Sequence, residues 1–208
     1  MGEPPLLEFL GVMRRLRAEC PWKAAQTHRS LARYLLEETH ETLDAIDAGE
    51  ATGDWSHLRE ELGDLLLQVY FHAVVAEEAG EFTIDDVACD VVAKMVRRNP
   101  HVFGTLDGST MTPREVNEAW EAAKAGEKQR SSVTEGIAPT LPALLHADKV
   151  LDRLERAGRE VPGGRPEAGA GDVGDRLLAL VAEARADGVD PEQALRDAVR
   201  RLVEAHEG

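Results

Sequence analysis

Apolar residues recur along most of the chain at three- and four-residue intervals, the repeat of an amphipathic helix, and period-two alternation is rare. The spacing predicts helices over roughly 5–19, 30–48, 55–79, 84–98, 113–127 and 141–157, with two more over roughly 172–186 and 191–205. Their ends are punctuated. Thr83 and Asp190 stand where N-caps are needed, Pro113 and Pro191 suit first-turn positions, and Gly80 and Gly188 follow long helices as stops. Ala, Leu, Glu and Arg dominate and aromatic residues make up only 4%, so the expected fold is all-α, a bundle of helices.

The periodicity lapses at residues 158–171, GREVPGGRPEAGAG, which reads as a Gly/Pro-rich linker. It divides an expected helical domain, 1–157, from a tail, 172–208. The tail repeats part of what precedes it: Asp172-Val173-Gly174-Asp175 echoes Glu61-Leu62-Gly63-Asp64, and a glycine and a second acidic helix start follow in both. With the following helices matched, Lys94 corresponds to Arg201, whereas Arg97 and Arg98 fall on Glu204 and Ala205. The tail is therefore expected to be a degenerate partial repeat without a working site of its own.

Composition narrows the function classes. Apolar residues at 43% of 208 are enough for a sizeable core. A net charge of −15 excludes a general binder of nucleic-acid polymers, which needs a broad basic surface, but leaves room for a small phosphate ligand met by locally gathered bases. Cys20 and Cys89 form no CxxC pair, so no disulfide framework or cysteine metal site is indicated. No uncharged apolar run reaches the roughly 18 residues that span a bilayer. A soluble cytoplasmic protein is expected.

Against that background two acidic segments stand out, Glu37-Glu38-Thr39-His40-Glu41 and Glu61-Leu62-Gly63-Asp64. On a helix Glu38 and Glu41 lie about 60° apart and border the apolar stripe Leu31–Leu35–Ile46. On the next helix Glu61, Asp64, Gln68 and His72 border the stripe Leu58–Leu62–Leu65–Val69–Ala76. The connection between the two is short, which predicts antiparallel neighbours whose acidic edges face one another across a shared core. Carboxylates brought so close repel each other and raise their own pKa values unless a cation neutralises them. Hard oxygen donors without cysteine favour Mg²⁺, with Mn²⁺ as the natural substitute. The plainer alternative is a set of solvated helix glutamates in a chain with 39 acidic residues.

A basic counterpart follows. Lys94, Arg97 and Arg98, spaced i, i+3, i+4, present one cationic face that can hold phosphate oxygens; such a triplet also suits the C-terminal end of a helix dipole. Trp120 and Lys124, at i and i+4, could stack on a base and meet a phosphate, although a helical Trp is commonly core. His28, His72 and His101 read as packing or capping residues rather than metal ligands.

Taken in order, several segments are similar to the MazG family of nucleoside triphosphate pyrophosphohydrolases, within the all-α NTP pyrophosphatases. They are Glu19-Cys20-Pro21-Trp22, Gln26-Thr27-His28, Leu35-Leu36-Glu37-Glu38-Thr39-His40-Glu41, Glu60-Glu61-Leu62-Gly63-Asp64, Arg97-Arg98-Asn99-Pro100-His101-Val102-Phe103-Gly104 and Trp120-Glu121-Ala122-Ala123-Lys124. The resemblance covers roughly residues 6–157. It implies a homodimeric helical bundle in which Glu38, Glu41, Glu61 and Asp64 bind Mg²⁺, Glu37 assists the attacking water, and Lys94, Arg97 and Arg98 bind the triphosphate. The chain departs from the family at Lys23, where Asp is usual, and this bears on base or sugar preference. The expected reaction is Mg²⁺-dependent cleavage of (deoxy)nucleoside triphosphates to monophosphate and pyrophosphate, serving nucleotide-pool house-cleaning. The alternatives are a narrower relative acting on deoxyuridine triphosphate or phosphoribosyl-ATP, or a non-catalytic nucleotide-binding module.

Overall fold

The structure is a computed structural model, and it describes residues 2, 4–104, 111–127, 132–160 and 172–207. Among them are ten helices and no strand: α1 (Pro5–Glu19), α2 (Pro21–Ala24), α3 (His28–Thr52), α4 (Ser56–Glu78), α5 (Ile84–Arg98), α6 (Pro100–Phe103), α7 (Pro113–Glu127), α8 (Ala143–Arg156), α9 (Val173–Ala186) and α10 (Pro191–Glu207). The all-α expectation holds, and α5 and α7 coincide with the predicted spans. The two four-residue helices are too short to leave a periodic signal. Most of the Gly/Pro-rich segment, 161–171, lies outside the described residues. None of the described helices is long and apolar enough to cross a membrane.

The chain divides into two compact units, Met1–Lys124 and Ala125–Gly208, so α8 groups with α9 and α10. In the first unit, α3 and α4 form the central antiparallel pair. α3 begins where the Thr27 hydroxyl accepts from the Ser30 amide and the Ser30 hydroxyl accepts from the Thr27 amide, a reciprocal capping box. It ends at Gly53, whose φ of 76° is the left-handed conformation that closes helices. The ring of Trp55 folds back onto the backbone of Gly49, where a Cβ would meet it at 2.4 Å. The turn thus sets the spacing of the two helices.

The core is built by Leu10 and Met13 of α1, Leu31 of α3 and Tyr70, Phe71 and Val74 of α4. This corrects the expected stripes in part: Leu31 and Ala76 are buried as expected, but Leu62 is 51% exposed and Val69 43%, and Leu35 and Ile46 also lie open. The buried face of α4 carries Glu61, Gln68, Tyr70, Phe71, Ala73, Val74 and Ala76, because α1 and α3 together cover a different arc of the helix from the one through Leu62 and Val69. Beside this core, the buried guanidinium of Arg17 pairs with Glu78 and donates to the carbonyls of Lys23, Ala24 and Gln26, fastening the segment that carries α2.

In the second unit, α8 and α9 pack around Leu151, Ala179 and Val181. Arg185 of α9 reaches three carboxylates of α8, Asp148 at 3.0 Å, Asp152 at 2.6 Å and Glu155 at 3.0 Å. Partial burial opposes its charge, but those hydrogen-bonded carboxylates prevail and hold the guanidinium firmly protonated.

Candidate metal and nucleotide site

At the seam of α3 and α4, Glu38, Glu61 and Asp64 each offer a carboxylate oxygen, and these oxygens lie within 4.8 Å of one another. Helical spacing explains the convergence. Glu61 and Asp64 are three residues apart on α4 and meet Glu38, which α3 brings to the same level from the opposite direction. Glu61 is 8% exposed, unusual for a carboxylate, and its Oε1 is held 2.8 Å from Nε2 of His57, one turn earlier. Thr42, also buried, donates its hydroxyl to the carbonyl of Glu38.

Burial raises the pKa of Glu38 first, and the charges of Asp64, Glu41 and Glu61 add to the rise. Ionised carboxylates this close repel one another, and hard oxygen donors on two rigid helices are what a divalent cation accepts. The residues present therefore fit a metal ion.

The predicted residues are distributed unevenly. Glu38, Glu61 and Asp64 come together as the sequence suggested. Glu41 is more exposed and joins through its interaction with Glu38. Glu37 is not among the three that converge and lies 3.4 Å from Arg33 on its own helix. Lys94, Arg97 and Arg98 occupy the last two turns of α5. The guanidinium of Arg98 lies 5.3 Å from the ring centroid of Trp120 on α7, so the aromatic and basic candidates meet, and Lys124 pairs with Glu121 at 3.2 Å.

Near the start of α3, Trp22 packs edge-on against Tyr34, and the amine of Lys23 lies 5.5 Å from the Trp22 ring centroid and 5.2 Å from that of Phe71. Sequence reasoning missed His57. Its i, i+4 spacing to Glu61 was the available signal, obscured because His at that distance is common on solvated helices.

A family model described as the MazG nucleotide pyrophosphohydrolase domain matches residues 26–103, which include all three convergent acids. A protein of Streptomyces cacaoi, described as an uncharacterised 26.1 kDa protein, is 48% identical over 98% of this chain and 83% of its own length. The nucleoside triphosphate pyrophosphohydrolase/pyrophosphatase MazG of Thermotoga maritima is 38% identical over 95% of this chain and 82% of its own length. The nucleoside triphosphate pyrophosphohydrolase of Mycobacterium tuberculosis is 48% identical over 74% of this chain, which spans 46% of that protein.

Proposed function

The chain belongs to the MazG family of nucleotide pyrophosphohydrolases, and we propose that it hydrolyses ribo- or deoxynucleoside triphosphates to a monophosphate and pyrophosphate, with Mg²⁺ as cofactor. The observation that carries this reading is the meeting of Glu38, Glu61 and Asp64 at one seam. Glu38, Glu41, Glu61 and Asp64 hold the cation in this reading. When bound, Mg²⁺, or Mn²⁺ in its place, supplies charge stabilisation at the reacting phosphate and makes a water more acidic.

Each remaining residue has work its chemistry suits. Glu37 accepts the proton of the attacking water once its carboxylate leaves Arg33, a weakly held partner across an exposed 3.4 Å gap. Lys94, Arg97 and Arg98 bind the β- and γ-phosphates and neutralise the pyrophosphate that departs. Trp120 offers a face to the base, and Lys124 a further cation. The protein acts as a homodimer, a reading supported by the exposed Leu62, Leu66 and Val69 on α4 and by Val91, Val92 and Val96 on α5. The reaction belongs to the cytoplasm, where it clears unwanted nucleotides from the pool.

The test is a panel of canonical, deoxy and damaged nucleoside triphosphates, with deoxyuridine triphosphate and phosphoribosyl-ATP included, incubated with Mg²⁺ and resolved by product. Monophosphate and pyrophosphate in equal amounts are expected. Orthophosphate as the first product overturns the reaction, and full activity in Glu38→Ala removes the site. Turnover of one nucleotide alone narrows the enzyme, and tight binding without turnover makes the chain a binding module.

A further inference from the structure

The α3–α4 seam carries a second polar group beyond the acids. Nδ1 of His28 and Nδ1 of His72 lie 2.7 Å apart, with the rings within 4° of parallel and their centroids 5.1 Å apart. Nε2 of His72 is buried without a hydrogen-bond partner. So is Oε1 of Gln68, a residue only 4% exposed. Asp64, Gln68 and His72 follow one another at single-turn intervals on α4. The register set by His28 with His72 at one end and by Glu38 with Glu61 and Asp64 at the other puts Gln68 between the imidazole pair and the acidic cluster.

Hydrogen-bond chemistry orders these groups. Two facing Nδ1 atoms at 2.7 Å need one hydrogen and one lone pair between them, so two neutral rings in this arrangement carry different tautomers. Burial, and secondarily His28, lower the pKa of His72, which favours its neutral form. A buried acceptor left unpaired is unfavourable enough that Oε1 of Gln68 demands a donor. The nearest unpaired nitrogen along the same face, one turn on, is Nε2 of His72. With its hydrogen at Nε2, His72 must accept at Nδ1, and His28 must then be the donor.

We propose that His28, His72 and Gln68 form a directed hydrogen-bond relay, His28 Nδ1–H to His72 Nδ1 and His72 Nε2–H through one buried water to Gln68 Oε1, and that Gln68 is a positioning residue for the acidic cluster. A long helical side chain leans toward the preceding turn, which for Gln68 is the turn of Asp64. With its oxygen engaged by His72, the carboxamide has its NH₂ left to donate on the side of those carboxylates. The relay therefore restrains the seam at the level where Glu38 meets Glu61 and Asp64. This rests on the cluster being the metal site proposed above.

The experiment uses the full chain without metal, labelled with ¹⁵N-histidine, and reads ring tautomers from long-range ¹H–¹⁵N correlations at neutral pH, assigned with His28→Gln and His72→Gln. His28 is expected as the Nδ1–H tautomer and His72 as the Nε2–H tautomer; a His72 that carries its hydrogen at Nδ1, or is doubly protonated, overturns the relay. Gln68→Met keeps shape and removes both hydrogen-bonding ends. It should weaken Mn²⁺ binding, followed by the paramagnetic resonance of free Mn²⁺, by about tenfold while KM for the triphosphate changes little. Wild-type Mn²⁺ affinity in Gln68→Met overturns the positioning role. A wild-type chain with the expected tautomers that binds no Mn²⁺ upholds the relay and sinks the metal reading alone.

Discussion

Glu61-Leu62-Gly63-Asp64 and Asp172-Val173-Gly174-Asp175 share a spacing and a central glycine, yet the two acid pairs have different fates. Glu61 and Asp64 lie in the second and third turns of α4, where every backbone amide has an intrahelical partner, so their carboxylates are available to meet Glu38 across the seam. Asp172 and Asp175 lie at the very start of α9. There Asp172 accepts from the amide of Asp175, and Asp175 accepts from the amide of Asp172. The free amides of a helix N-terminus occupy both carboxylates. An acidic pair thus becomes a ligand pair or a cap according to where its helix begins.

The sharpest way to break this comparison is to neutralise one acid in each pair. Asp64→Asn should lower turnover by about 10²–10³-fold with little loss of stability, since it removes charge from the site and no helix cap. Asp172→Ala should do the reverse: turnover is retained, and stability of the second unit falls by about 1 kcal/mol in thermal or urea unfolding. Comparable loss of turnover in both variants would show that the tail shares in catalysis. Between these extremes lies Gly49→Ala. The added methyl group meets the Trp55 ring at 2.4 Å, so the α3–α4 turn must open, with an expected destabilisation of about 1–3 kcal/mol and a parallel loss of Mn²⁺ affinity. Unchanged affinity would mean that the cluster does not depend on how the turn sets the seam.

Much of this was legible in the sequence because it is local. Thr83 with Asp86 caps α5, Gly80 and Gly188 take positive φ, and i, i+3 spacing brings Glu61 and Asp64 to one face. What misled was tertiary. Leu62 and Val69 of α4 lie exposed, while its buried face holds Glu61 and Gln68 beside Phe71 and Val74. Periodicity locates a stripe but not its partner, and an exposed apolar face reads like core. Glu37 shows the same limit at smaller scale: adjacency to Glu38 in sequence rotates it by about 100° on the helix, and Arg33 takes it up.

The smallest effect tests the acids without any turnover. Glu38 has its pKa raised in the folded chain, chiefly by burial and then by Asp64, Glu41 and Glu61, so the folded state holds that proton more tightly than the unfolded chain does. By linkage, its contribution is fully present below the ordinary value of 4.5 and is lost as pH rises through the raised one. Glu78, whose pKa Arg17 lowers, contributes with the opposite sign in the same acidic range, so wild-type stability alone does not isolate Glu38. The difference between Glu38→Gln and wild type does. Without metal, the variant should gain on wild type in thermal unfolding as pH rises from 4.5, and saturating Mn²⁺ should narrow or reverse the gap because the ion favours the ionised carboxylate. A difference that stays flat with pH would mean that Glu38 does not feel its three neighbours, and the likeness between the two acid pairs would then run deeper than their positions suggest.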